Sequence, residues 1–183
     1  MSALLFSGTL LAAGLAGLVA SCVSDLRERL IYNEVALFVL ASGVALRLSS
    51  TPGLMWISLA AAAIALVLLG QVCRFGVIGG GDAKLIAAAM LLVPVNRDGQ
   101  LLANVAIAGG VLSCVYLTLR AAMRRGLIHA VPAGAGQQSC LAGELANIAA
   151  GAPMPYALAI LGGAVISIGN EASQCVSATF CSL

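Results

Sequence analysis

The sequence predicts an all-α, polytopic membrane protein with about six transmembrane helices. Two observations predict this class: 61% of the 183 residues are hydrophobic and 9% are charged, and uncharged apolar runs recur along the whole chain. Such a composition lies outside the range of soluble domains. We therefore treat residues 1–183 as a single transmembrane domain.

The apolar runs are compared with the roughly 20 residues that a helix needs to cross a bilayer. No Lys or Arg precedes the first run and the charges of SDLRER follow it, which indicates a transmembrane helix rather than a cleaved signal peptide. The fourth run is too short to cross an average bilayer at about 1.5 Å per residue. The six predicted spans are residues 3–23, 31–48, 54–73, 83–96, 101–120 and 152–170.

Turn residues separate the spans, and the charges between them predict an orientation. The segments SSTPG, VNRDG and AAMRRG are typical of loops, and residues 121–151 are the one long connection, predicted to be a cytoplasmic loop. If both termini are outside (N-out, C-out), most basic residues face the cytoplasm, as the positive-inside rule requires. The inside group is Arg27, Arg29, Arg74, Lys84, Arg120, Arg124 and Arg125, and the outside group is Arg47 and Arg97.

Several kinds of function have little support in the sequence. The formal net charge is only +2 and no basic segment is interleaved with aromatic residues, so no nucleic-acid partner is predicted. The six cysteines include no C-x-x-C pair and His129 is the only histidine, so no metal or cofactor is predicted. His129 is interpreted as a solvated loop residue. Cys175 and Cys181 could form a disulfide if they face an oxidising compartment.

Two acidic residues have an unusual setting. Asp25 and Asp82 each lie at the edge of an apolar span, with a basic residue two positions further on. Ionisable groups at membrane depth are costly unless they pair or face water, so they indicate function. Asp98 and Glu171, by contrast, are expected to be solvated on the outer side. The predicted orientation puts both Asp25 and Asp82 at the cytoplasmic face.

Three consecutive glycines, Gly79, Gly80 and Gly81, precede Asp82. They cost about 1 kcal/mol each in a helix and are useful where the backbone approaches another segment closely or adopts a positive φ. We therefore expect a flexible or strained loop that delivers Asp82 to the start of the fourth helix. The helix dipole there favours the ionised form of Asp82, whereas the end of the first helix and partial burial favour the protonated form of Asp25; the sequence does not assign the proton to either. Two such carboxyl groups would share a proton, as in aspartic proteases.

Three segments carry a resemblance to a known family: SDLRERLIYNE, GGGDAKL and PMPYALAI. They resemble the signatures of the type IV prepilin peptidases, membrane aspartyl proteases with a GxGD motif, in which Gly79, Gly81 and Asp82 take the motif letters. The resemblance implies that Asp25 and Asp82 are catalytic. It also implies supporting roles for Gly79, Gly80, Gly81, Lys84, Asn33, Pro155 and Tyr156.

Two departures from the family refine the prediction. Tyr32 stands where many members have Pro, and the paired-cysteine insert of the longer, methylating members is missing. The chain is similar to the short, peptidase-only form associated with Flp-type pili. The implied function is removal of the cytoplasmic leader from an Flp-type prepilin or pseudopilin in the bacterial inner membrane. Lys84 could tune Asp82 or meet lipid headgroups, and the oligomeric state is not indicated.

Two other classes of function would use some of the same features. A small membrane transporter or channel could also contain a pair of carboxylates, but such sites tend to lie near the bilayer midplane. A non-catalytic pilus-assembly subunit would need neither Asp25 nor Asp82. Replacing either aspartate by asparagine distinguishes the three.

Overall fold

The computed structural model describes residues 2–76, 78–125, 148 and 154–181, with the backbone only for 2–4 and 171–181. These residues form long α-helices and no strand, which confirms the all-α prediction. A 3₁₀ turn precedes α3 (Pro52–Leu54) and another precedes α5 (Val95–Arg97). The helices are α1 (Ser2–Glu28), α2 (Asn33–Ser50), α3 (Met55–Arg74), α4 (Gly80–Met90), α5 (Asp98–Arg124) and α6 (Ala157–Cys181).

Some predictions concern residues that the structure describes only in part or not at all. Helix α5 continues to Arg124, so the described start of the segment 121–151 is helical. His129, Glu144 and most of that predicted loop lie outside the described residues. The same holds for the side chains of Glu171, Cys175 and Cys181.

Four helical segments of the described chain are long and apolar enough to cross a membrane. The apolar stretch Ala157–Asn170 of α6 is shorter. Large side chains point outward from these helices, and Trp56 is 72% exposed, as expected of a surface that contacts lipid. The four segments are Leu5–Glu28, Asn33–Ser50, Pro52–Arg74 and Val95–Arg124.

Helices α1 and α2 pack closely through glycines. A Cβ atom on Gly17 would lie 2.7 Å from Val39, and one on Gly14 would lie 3.1 Å from the Ser42 hydroxyl. Small residues allow such close approach between membrane helices, where lipid supplies no hydrophobic drive to associate. Since positions rise along α1 as they fall along α2, the two helices are antiparallel.

Helices α5 and α6 form the second close pair. A Cβ atom on Gly163 would lie 2.7 Å from the backbone nitrogen of Val105. The Asn104 amide donates a hydrogen bond of 2.9 Å to the Ser167 hydroxyl. This pair is also antiparallel, and α6 begins beside the middle of α5, where Tyr156 packs against Gly109.

Helix α4 is enclosed by the other helices. Apart from exposed Lys84, every side chain from Ala83 to Val93 is buried. Its 11 residues span about 16 Å, so the predicted span at 83–96 is wrong in extent. After Met90 the amides of Leu91 and Leu92 bond to carbonyls three residues earlier, a tighter winding that satisfies the backbone at the helix end.

The far end of α4 is held by a buried charge. Arg47 is 5% exposed and its Nε donates a hydrogen bond of 3.1 Å to the carbonyl of Leu91. Asp98 is 9% exposed and interacts electrostatically with Arg47. The expectation that Asp98 is solvated is therefore wrong: its partner lies about 50 residues earlier on α2, which local sequence could not reveal.

Gly162 and Gly163 provide a matched test of the packing between α5 and α6. Gly163→Ala should destabilise the protein by about 1–3 kcal/mol, because the new methyl group meets the Val105 backbone. Gly162→Ala should be neutral, since its nearest contact would be 3.9 Å away. Thermal unfolding in detergent measures both variants, and equal melting temperatures would contradict the described packing.

Candidate active site

The starts and ends of several helices meet at one end of the protein. Asp25 lies in the last turn of α1, Asp82 in the first turn of α4, and Ala157 is the first residue of α6. Antiparallel packing brings these three together, while Arg47 and Leu91 meet at the opposite end. No three His, Cys, Asp or Glu side chains converge on a metal-binding arrangement within the described residues.

Asp25 is 8% exposed to solvent. Its Oδ2 accepts a hydrogen bond of 3.1 Å from the backbone N–H of Ala157. The carbonyl of Asp25 accepts the N–H of Arg29 at 3.0 Å, and Arg29 has a φ of 55°. This left-handed residue ends α1 in the way a helix C-cap does, one turn after Asp25.

Asp82 is partly buried beside Asp25. Burial and then the charge of Asp25 raise the pKa of Asp82 to about 6, against a hydrogen bond from the Gly79 backbone that lowers it. The structure therefore brings both predicted aspartates into one site. Removal from water and a neighbouring like charge raise the pKa of Asp82 by more than the Gly79 contact lowers it.

Two of the glycines before Asp82 lie so close to neighbouring side chains that a Cβ atom would not fit. A Cβ atom on Gly79 would lie 2.8 Å from Oδ2 of Asp82, and one on Gly81 would lie 3.0 Å from Cβ of Ile31, whereas Gly80 has open space. Gly79 has an ordinary φ of −69°, and Gly80 and Gly81 already belong to α4. The predicted strained loop is wrong, and the two tight positions are the two glycines of the GxGD motif.

The supporting residues on α2 and α4 also meet. The Lys84 ammonium group donates a hydrogen bond of 2.9 Å to the Asn33 side chain, which joins the starts of these helices. The Tyr32 hydroxyl donates to the Glu28 carboxylate. Tyr32 has a φ of −69°, a value that proline also adopts, so tyrosine keeps the turn and ties it to α1.

The segment before α6 completes the site. Pro155 is fully buried. The Tyr156 ring packs against Gly109 of α5, where an added Cβ atom would lie only 2.9 Å from the ring. Burial, followed by the charge of Asp82, raises the pKa of Tyr156. Sequence reasoning found Pro155 and Tyr156 through the family resemblance alone, and it missed Ala157 because a backbone donor leaves no side-chain signal.

The basic residues are divided unevenly between the two ends of the helices. The antiparallel helices put most basic residues at the end that holds Asp25 and Asp82, and only two at the end that holds Leu91. The first group is Arg27, Arg29, Arg74, Lys84, Arg120, Arg124 and Arg125, and the second is Arg47 and Arg97.

Together, the fold and the site define a helical membrane protein with two carboxyl groups buried at one end of its helices. The family model of the type IV leader peptidase family matches residues 12–119, more than half of the chain, including both aspartates. The chain belongs to this family and is a membrane peptidase. No curated protein and no solved structure matches it.

Alanine substitutions along the three glycines should separate their roles. Gly79→Ala pushes against the Asp82 carboxylate and should slow leader cleavage by about tenfold to hundredfold, the cost of misplacing a reacting group. Gly80→Ala meets no atom and should change cleavage less than about threefold. The check is prepilin processing at matched expression, and equal losses in both variants would contradict this distinction.

The raised pKa of Asp82 predicts that Asp82→Asn stabilises the protein above pH 6. Between the ordinary pKa of 3.8 and the raised value of about 6, the folded state keeps a proton on Asp82 that the unfolded state has released. Ionisation of Asp82 at higher pH therefore lowers the stability of the folded state. Allowing for partial exposure to water, the gain should be of the order of 1–2 kcal/mol at pH 7.5. It should vanish below about pH 4, where Asp82 is protonated in both states.

Melting temperatures in detergent across this pH range measure the effect. Gly80→Ala, which lies beside Asp82 in open space and removes no titratable group, is the control and should show no such pH dependence. A gain for Asp82→Asn that persists unchanged at pH 4 would contradict the assignment.

Proposed function

We propose that this protein is an aspartic endopeptidase that removes the short leader from Flp-type prepilins, with Asp25 and Asp82 as a catalytic dyad. The observation that carries the proposal is the burial of these two carboxyl groups in one site within the segment that matches the leader peptidase family. The Flp-type substrate rests on the resemblance to the short, peptidase-only members.

The proposed reaction uses the two carboxyl groups in opposite protonation states. The ionised one takes a proton from water as the water oxygen bonds to the scissile carbonyl carbon, and the protonated one gives its proton to the carbonyl oxygen. The C–N bond then breaks, the amine takes the proton from the first carboxyl group, and the second recovers one from the diol. Both groups return to their starting states without a metal or cofactor.

The membrane would position the substrate. The site lies at the end of the helices that holds most basic residues, which supports a cytoplasmic active site in the inner membrane under the positive-inside rule. A prepilin whose apolar helix lies in the bilayer would present its leader at that level. A site at one end of the helices is also unlike the midplane sites of transporters.

Substitution of each aspartate tests this proposal. When the protein is co-expressed with an Flp-type prepilin from the same genome, Asp25→Asn and Asp82→Asn should each reduce leader removal by at least about a hundredfold, because each removes a proton acceptor or donor. Gel mobility and mass spectrometry of the pilin give the result.

Asp98→Asn is the matched control, since Asp98 is also a buried aspartate but lies at the other end of α4. It should leave cleavage intact at equal expression. Processing by either dyad variant at the wild-type rate would refute the two-aspartate mechanism.

A further inference from the structure

The first amide of α6 is aimed at Asp25. Ala157 is 1% exposed, and its N–H donates to Oδ2 of Asp25 at 3.1 Å, across 132 positions of sequence. The first four N–H groups of a helix have no partner within the helix. One of them here finds its partner in a carboxyl group that the proposed function makes catalytic.

The segment that carries this amide is fixed by packing. Pro155 before it is fully buried, and the Tyr156 ring rests against Gly109 on α5. The carbonyl of Tyr156 accepts the N–H groups of Ala159 and Ile160 at 2.9 and 3.2 Å, which starts α6 at this point. The direction of the Ala157 N–H is therefore set by the fold and not by a mobile side chain.

Asp25 and Asp82 receive different support. A backbone N–H at the positive end of a helix stabilises a carboxylate more than a neutral carboxyl group. Asp25 faces such an end on another helix. Asp82 accepts from Gly79 within its own helix turn, yet burial and Asp25 still raise its pKa to about 6. Asp25 is therefore oriented by an amide of another helix, and Asp82 by an amide beside its own helix.

We propose that Ala157 is a positioning residue whose backbone N–H holds the Asp25 carboxyl group in the orientation that its pairing with Asp82 requires. This inference rests on the proposed function and adds a residue that orients one of its two aspartates. It also assigns a part in the site to a segment outside the family match at 12–119.

Ala157→Pro tests the inference, because it removes the N–H while proline suits the first position of a helix. Ala157→Val is the matched control, since it adds bulk at the same buried position but keeps the N–H. Purified protein in lipid vesicles is assayed with an Flp-type prepilin. Ala157→Pro should lower kcat by about tenfold to hundredfold relative to Ala157→Val, with little change in KM.

A backbone ester at position 157, introduced as the α-hydroxy analogue of alanine, removes the N–H without adding a carbon atom. It gives the answer if either bulky variant fails to fold, and it should show the same loss of kcat. A wild-type kcat for the ester would overturn the inference. Asp25→Asn in the same assay separates the two proposals: if it is inactive while the ester is active, only the role of Ala157 fails.

Discussion

The enclosure of α4 is the constraint on which the other features depend. Eleven residues cannot cross a hydrocarbon core of about 30 Å, and backbone groups within a membrane must find partners inside the protein. Arg47 of α2 donates to the backbone carbonyl of Leu91 at one end. At the other end, a hydrogen bond between side chains, from Lys84 to Asn33, ties α4 to α2. A helix held at both ends presents Asp82 at a fixed depth.

The site is assembled from helix ends, and this gives it its chemical asymmetry. Asp25 ends one helix and meets the start of another at Ala157, whereas Asp82 lies within the first turn of its own helix. Two identical side chains are therefore placed in unequal surroundings. Such inequality allows one carboxyl group to accept a proton while its neighbour donates one.

Much of this could be predicted from the sequence, because hydrophobic length and charge are local properties. Each predicted span corresponds to a helix, and Asp25 and Asp82 were identified by their position at the edges of apolar runs. The burial of Asp98 could not be predicted, since it depends on Arg47 from a distant helix. Of the two uses that the sequence suggested for the glycines, close approach, to Asp82 and Ile31, and not an unusual backbone angle, explains Gly79 and Gly81.

The central claim is that Asp25 and Asp82 face each other in one site, and cross-linking tests it most directly. Asp25→Cys and Asp82→Cys are combined in a variant whose six natural cysteines are replaced by alanine, and membranes are treated with a short bifunctional thiol reagent. We expect an intramolecular cross-link, detected by mass spectrometry. The control pair Asp82→Cys with Asp98→Cys, separated by the length of α4, should give none. Failure of the first pair to cross-link, or equal cross-linking of both pairs, would contradict the account.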